Sequence, residues 1–107
     1  MQKLTNSELA AKILDLLGPN GEHWCQNKTA LDEHGYPASP SGPKAVRWCL
    51  GGAVVKICGD VPYEDFDRVY SGLRQQLLQR VTEFNDSATD FSIVRDKLQS
   101  IANQKEI

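Results

Sequence analysis

A single irregular insertion, Asn20 to Gly42, interrupts a chain whose other stretches carry apolar residues at helical spacing. The fold must therefore be a helical bundle that accommodates one non-helical piece. The insertion contains Gly21, Gly35, Gly42, Pro37 and Pro40, and Asp32-Glu33-His34-Gly35 reads as a tight turn between Lys28–Leu31 and Tyr36–Ala38. A lone hairpin is marginally stable in water, so this one has to lie on the helices.

Four helices are expected around it. In the first, over 5–17, Thr5-Asn6-Ser7-Glu8 has capping-box spacing and Leu9, Ile13, Leu16 and Leu17 form an apolar stripe that Gly18-Pro19 ends. The second is expected over 43–58, because Pro43 suits a first helical position. On that helix Val46, Cys49, Leu50, Ala53 and Ile57 share one face, and Trp48, Gly52 and Val55 another. Two apolar faces make it the central, most buried helix. Gly51-Gly52 lowers its propensity by about 1 kcal/mol per Gly, which points to close packing against a neighbour where no larger side chain fits.

The third helix, over 62–84 and opened by Asp60 and Pro62, carries Phe66, Val69, Tyr70, Leu73, Leu77, Val81 and Phe84 at spacings of three and four. Asn85-Asp86-Ser87 breaks it. Thr89 or Asp90 caps the last helix, over 90–103, with Ile93, Val94, Leu98 and Ile101 facing inward. The fold class is thus α+β, mainly α: one domain of about four helices with a small β-hairpin on the central helix.

Composition narrows the function classes. With 107 residues, 40% of them hydrophobic and 24% charged, the chain is long enough for one core. A net charge of −2 with scattered Lys and Arg disfavours nucleic acid and anionic lipid as partners. No apolar run approaches the roughly 20 residues needed to cross a bilayer, and Met1-Gln2-Lys3-Leu4 is unlike a signal peptide. A cytoplasmic location, in a bacterium or a phage-infected host, is the expectation, with the three cysteines as reduced thiols. No cofactor is indicated.

Trp24-Cys25-Gln26, Ala30 to Pro37, Ala45-Val46-Arg47-Trp48-Cys49-Leu50-Gly51-Gly52-Ala53 and Phe84-Asn85-Asp86 occur in an order that resembles a family of small bacterial and phage proteins. That family is a domain of unknown function, and the resemblance runs from about residue 9 to residue 102. It implies a single-domain fold and marks Trp24, Cys25, Asp32, Gly35, Trp48, Cys49, Gly52, Ala53, Asn85 and Asp86, but it implies no activity.

The residues that could engage a ligand or partner are Trp24, Cys25, Asp32, His34, Arg47, Trp48, Asn85 and Asp86. Each has a structural reading beside the functional one. Core packing is the stronger reading of Cys49, and turn chemistry that of Asp32 and Gly35. Asn85-Asp86 reads first as a helix terminator and cap. A reactive thiol is more plausible at Cys25 than at Cys49, with His23 or His34 as base, yet no nucleophile motif stands behind it. Ligand spacing typical of zinc is absent, and Cys49 and Cys58 fall half a turn apart on one helix, which excludes a disulfide between them, while a Cys25–Cys49 disulfide stays open in an oxidised sample.

The preferred expectation is a non-catalytic binding or regulatory module, a phage or defence-related accessory protein that captures a protein or small ligand. The alternatives are a small cysteine-dependent enzyme using Cys25 with His23 or His34, and the subunit of a structural homo-oligomer.

Overall fold

The computed structural model describes residues 5–60, 71–75 and 81–103. Helix α1 spans Asn6–Leu17, strand β1 Ala30–Leu31, strand β2 Arg47–Trp48 and helix α2 Leu50–Asp60; a helical segment at 71–75 precedes helix α3, Val81–Ser87, and helix α4, Phe91–Ala102. The class is α+β and mainly helical.

Helix α1 forms where its spacing places it. Thr5 Oγ1 accepts from the Glu8 N–H at 3.2 Å and the Glu8 carboxylate accepts from the Thr5 N–H at 3.3 Å, so the capping box is complete. Its buried face is Leu9, Ala10, Ile13 and Leu17, with Leu16 turned half toward solvent. Helix α4 is started by Asp90, whose carboxylate accepts from the Ser92 N–H at 2.8 Å. Phe91, Val94, Leu98 and Ile101 are its buried residues; Ile93, expected inside, is 41% exposed because it lies two residues after the inward-facing Phe91, about 200° around the helix.

Helices α1 and α4 pack extensively on each other, and α2 packs against α1 as well. Leu50, Ala53, Val54 and Ile57 of α2 join Leu73, Val81 and the α1 and α4 residues in one apolar cluster. Burying each such large aliphatic side chain stabilises by about 1.5–3 kcal/mol. From Leu50 to Val54 every residue of α2 is buried, so its first turn is enclosed on all sides, as expected of the central helix.

The start of that helix differs from the sequence expectation. Residues 43–46 are turn and coil, Arg47–Trp48 is strand, and α2 begins only at Leu50 and runs past Gly59 to Asp60. A proline compatible with a first helical turn does not outweigh pairing partners on both sides of Trp48. Ala30 pairs antiparallel with Trp48 and Leu31 with Arg47, while Trp24 forms a parallel bridge to Trp48 from the opposite edge. The hairpin is likewise shifted: β1 takes β2 as its partner, and Tyr36–Ala38 keeps only a single Leu31–Pro37 bridge. Val46, assigned to the inner face of a helix, is consequently 37% exposed, and Cys49 lies before α2 instead of sharing its wheel with Cys58.

The glycine expectation holds at Gly52. A Cβ built there would overlap the Thr29 carbonyl, which itself accepts from the Cys49 N–H at 3.2 Å, so the loop before β1 lies directly on the first turn of α2. Asp60, expected to open the third helix, is instead the last residue of α2, because the helix runs on through Gly59. Pro62, Phe66, Val69, Tyr70 and Leu77, and the Cys58 side chain, fall outside the described residues. Asn85-Asp86-Ser87 forms the last turn of α3 and does not precede its end.

Candidate functional site

The two Trp-Cys pairs lie side by side. The Trp48 N–H donates to the His23 carbonyl at 2.8 Å and the Cys25 N–H to the Trp48 carbonyl at 3.1 Å, so Trp24-Cys25 and Trp48-Cys49 run parallel. The indoles then diverge in their contacts. Trp24 tilts against the Phe91 ring at 5.5 Å and its Nε1 donates to Asn85 Oδ1 at 2.7 Å; Trp48 Nε1 donates to the Pro40 carbonyl at 2.8 Å.

Asn85 ties this region together. It is fully buried, and its Oδ1 also accepts from the Leu50 N–H, the first of α2, at 3.0 Å. Its Nδ2 donates to the Cys25 carbonyl at 3.0 Å and to Asp86 Oδ1 at 2.9 Å. All four hydrogen-bonding positions of the amide are used. Asp86 Oδ1 accepts in addition from the N–H of Asn27, which sits at a positive φ of 68°. The expected cap is thus a buried cross-link, because the helix continues past Asn85 and turns its side chain inward.

Gln26 was not singled out from the sequence. Its Nε2 donates to the carbonyls of Asn85, at 2.9 Å, Asp86, at 3.3 Å, and Ala88, at 2.9 Å, and so covers the free end of α3. Only its place after Trp24-Cys25 signalled it. Among the described residues no buried side-chain nitrogen or oxygen lacks a partner.

The thiols are held protonated. Burial, followed by the neighbouring Cys49 and Asp86, pushes Cys25 from 9.0 up to about 11, and its Sγ donates to the Lys28 carbonyl at 3.4 Å. Cys49 precedes α2 and its Sγ accepts from the Gly52 N–H at 3.3 Å; burial raises its pKa although the Gly52 and Gly51 N–H groups pull the other way. His23 Nδ1 is hydrogen-bonded to the Val46 carbonyl at 3.0 Å and His34 pairs with Glu33 at 3.3 Å. Neither imidazole is hydrogen-bonded to a thiol among the described residues. Among the described residues no three His, Cys, Asp or Glu side chains converge as metal ligands.

Asp32, His34 and Arg47 lie elsewhere. The Asp32 carboxylate accepts from the His34 and Tyr36 N–H groups, at 2.9 and 3.0 Å, and the Tyr36 bond lowers its pKa most. Gly35 supplies the turn's positive φ of 82°. Arg47 is exposed on β2, and its charge acts on Cys25 from there, pulling against the effect of burial.

Two depressions meet at Val46. Asp32, Glu33, His34, Pro43, Lys44 and Val46 line a polar one of about 370 Å³. Leu16, His23, Ala45, Val46 and Trp48 line a mainly apolar one of about 260 Å³. The structure therefore brings together Trp24, Cys25, Trp48, Asn85 and Asp86, and sets Asp32 and His34 at the rim of the adjoining hollow.

None of the curated proteins and none of the solved structures compared with the chain matches it. The family model described as "Family of unknown function (DUF6197)" matches residues 1–104, nearly the whole sequence, and the chain belongs to that family.

Proposed function

We propose that the protein is a small non-catalytic binding module that captures a protein or small ligand, seated at the cleft beside Trp48. The observation that carries this reading is the apolar wall of Leu16, Ala45, Val46 and Trp48, with the His23 ring at its edge and a polar hollow continuing from Val46. An apolar recess with a few polar groups at its rim is the usual form of a ligand seat. Against a cysteine-dependent enzyme stand the burial of Cys25, its pKa near 11 and the engagement of both histidines elsewhere. A phage or defence-related regulatory role is one setting in which such a module would work.

The test is a thermal-shift screen of small aromatic and aliphatic fragments on the purified chain, repeated with Val46→Asp. Val46 uses its backbone, not its side chain, to bond Leu31 and His23, so the variant keeps its fold. Hits on the native chain should weaken about tenfold in the variant, the loss expected when one buried Val contact of about 1.4 kcal/mol is removed. Hits unaffected by Val46→Asp, or no hits at all, would refute the cleft as the seat. A solution mass above the monomer that falls with Val46→Asp would instead favour the homo-oligomer.

A further inference from the structure

Cys25 and Cys49 are both free and buried, and their backbones are neighbours in a parallel pairing that is in register at Trp24 and Trp48. Neighbouring parallel strands lie about 4.8 Å apart. A disulfide spans Cα separations of about 4.4–6.8 Å, so the pair one residue beyond the Trp24–Trp48 bridge falls in range. Successive side chains alternate along an extended strand, which puts both thiols on the side opposite the indoles. Cys49 is close enough to contribute to the raised Cys25 pKa.

Access is also provided. Cys49 lines a cavity of about 130 Å³ together with Asn27, Lys28, Thr29 and Asp86, and these four residues are exposed. A water molecule occupies about 30 Å³ of the liquid, so hydrogen peroxide, with one more oxygen atom, fits. The Cys25 sulfur donates to the Lys28 carbonyl, and the Cys49 sulfur accepts from the Gly52 N–H with the Gly51 N–H beside it. Rotation about χ1 releases both.

We infer that Cys25 and Cys49 form a reversible dithiol pair that a small peroxide converts into an intramolecular disulfide. The Cys49 thiol first gives its proton to solvent, a step that burial opposes and rising pH favours. The thiolate attacks one peroxide oxygen, the O–O bond breaks, and the departing hydroxide takes up a proton and leaves as water, so that Cys49 becomes a sulfenic acid. The Cys25 sulfur then displaces the hydroxyl from Cys49, forming the S–S bond and releasing a second water. Two electrons pass from the thiols to the peroxide, and an external dithiol returns them. The product clamps the segment before α2 to the segment that follows α1, independently of what the Trp48 cleft binds.

The experiment uses the full chain treated with hydrogen peroxide, alkylated in denaturant and digested with trypsin. Cleavage after Lys28, Arg47 and Lys56 leaves Cys25, Cys49 and Cys58 on three separate peptides. The expected product joins the Cys25 and Cys49 peptides, removes two thiols per chain and disappears with dithiothreitol; it should form equally in Cys58→Ser. A link to Cys58, a link between chains, sulfinic acid at Cys49 beside a free Cys25, or thiols untouched at a dose that oxidises the denatured chain would each overturn it. If Cys58→Ser does not fold, the peptide map of the native chain decides alone.

Discussion

The same dipeptide does different work in its two copies. Trp24-Cys25 belongs to a closed region where the indole, the Cys25 carbonyl and the first N–H of α2 all end on one buried amide, Asn85. Trp48-Cys49 belongs to a junction: its backbone is strand, its sulfur caps a helix, and its ring forms the wall of an open cleft. Identity of residues fixed neither role. Each followed from what lay across from the backbone, so the first copy is expected to carry stability and the second to face a ligand.

Substituting Asn85→Ala should break the comparison hardest. It leaves the Leu50 N–H, the Trp24 Nε1 and the Cys25 carbonyl without their partner, and at about 1–3 kcal/mol per orphaned group a loss of about 3–5 kcal/mol is expected in urea unfolding. Gly52→Ala comes next. In an ordinary helix interior the change gains about 1 kcal/mol; here the collision with the Thr29 carbonyl should reverse the sign and cost about 1–3 kcal/mol.

A third expectation concerns pH. The folded state holds the Cys25 proton more tightly than the unfolded chain, since its pKa rises from 9.0 to about 11. Its contribution is therefore complete below pH 9 and is lost as pH rises toward 11, by an amount on the order of 2 kcal/mol, and Cys25→Ser should flatten that part of the stability profile. Smallest is the difference between the indoles. Trp24→Phe removes a bond to a buried acceptor and Trp48→Phe one to a half-buried carbonyl near the surface, so the first should be the more destabilising, by about 1 kcal/mol, in parallel unfolding curves.

Elements governed by neighbours in sequence were legible in advance. The Thr5 capping box, the α1 stripe, the Asp90 cap and the Asp32–Gly35 turn each depend on residues within one or two turns of chain. Close packing at Gly52 was legible as a broken propensity rule, though not the identity of Thr29 as the neighbour. The start of α2 was not legible, because Pro43 and the apolar residues Val46 and Trp48 satisfy helical spacing while their actual partners, His23 and Leu31, lie far back in the chain. Asn85 was misread for a related reason: near a helix end Asn signals termination, and its burial arises from contacts with Trp24 and Cys25 about sixty residues away.

The amide at position 85 also bears on how the chain is made. During synthesis the first half emerges with the Leu50 N–H and the Trp24 ring nitrogen still bonded to water, and their common acceptor arrives only when α3 leaves the ribosome. Closing so long a loop costs entropy before any bond repays it, which places this knot late in assembly. A nascent chain stopped before Asn85 also lacks α4, the main packing partner of α1, and should leave both α1 and its tryptophans unlocked, vulnerable to proteases until the segment from Asn85 onward has been translated.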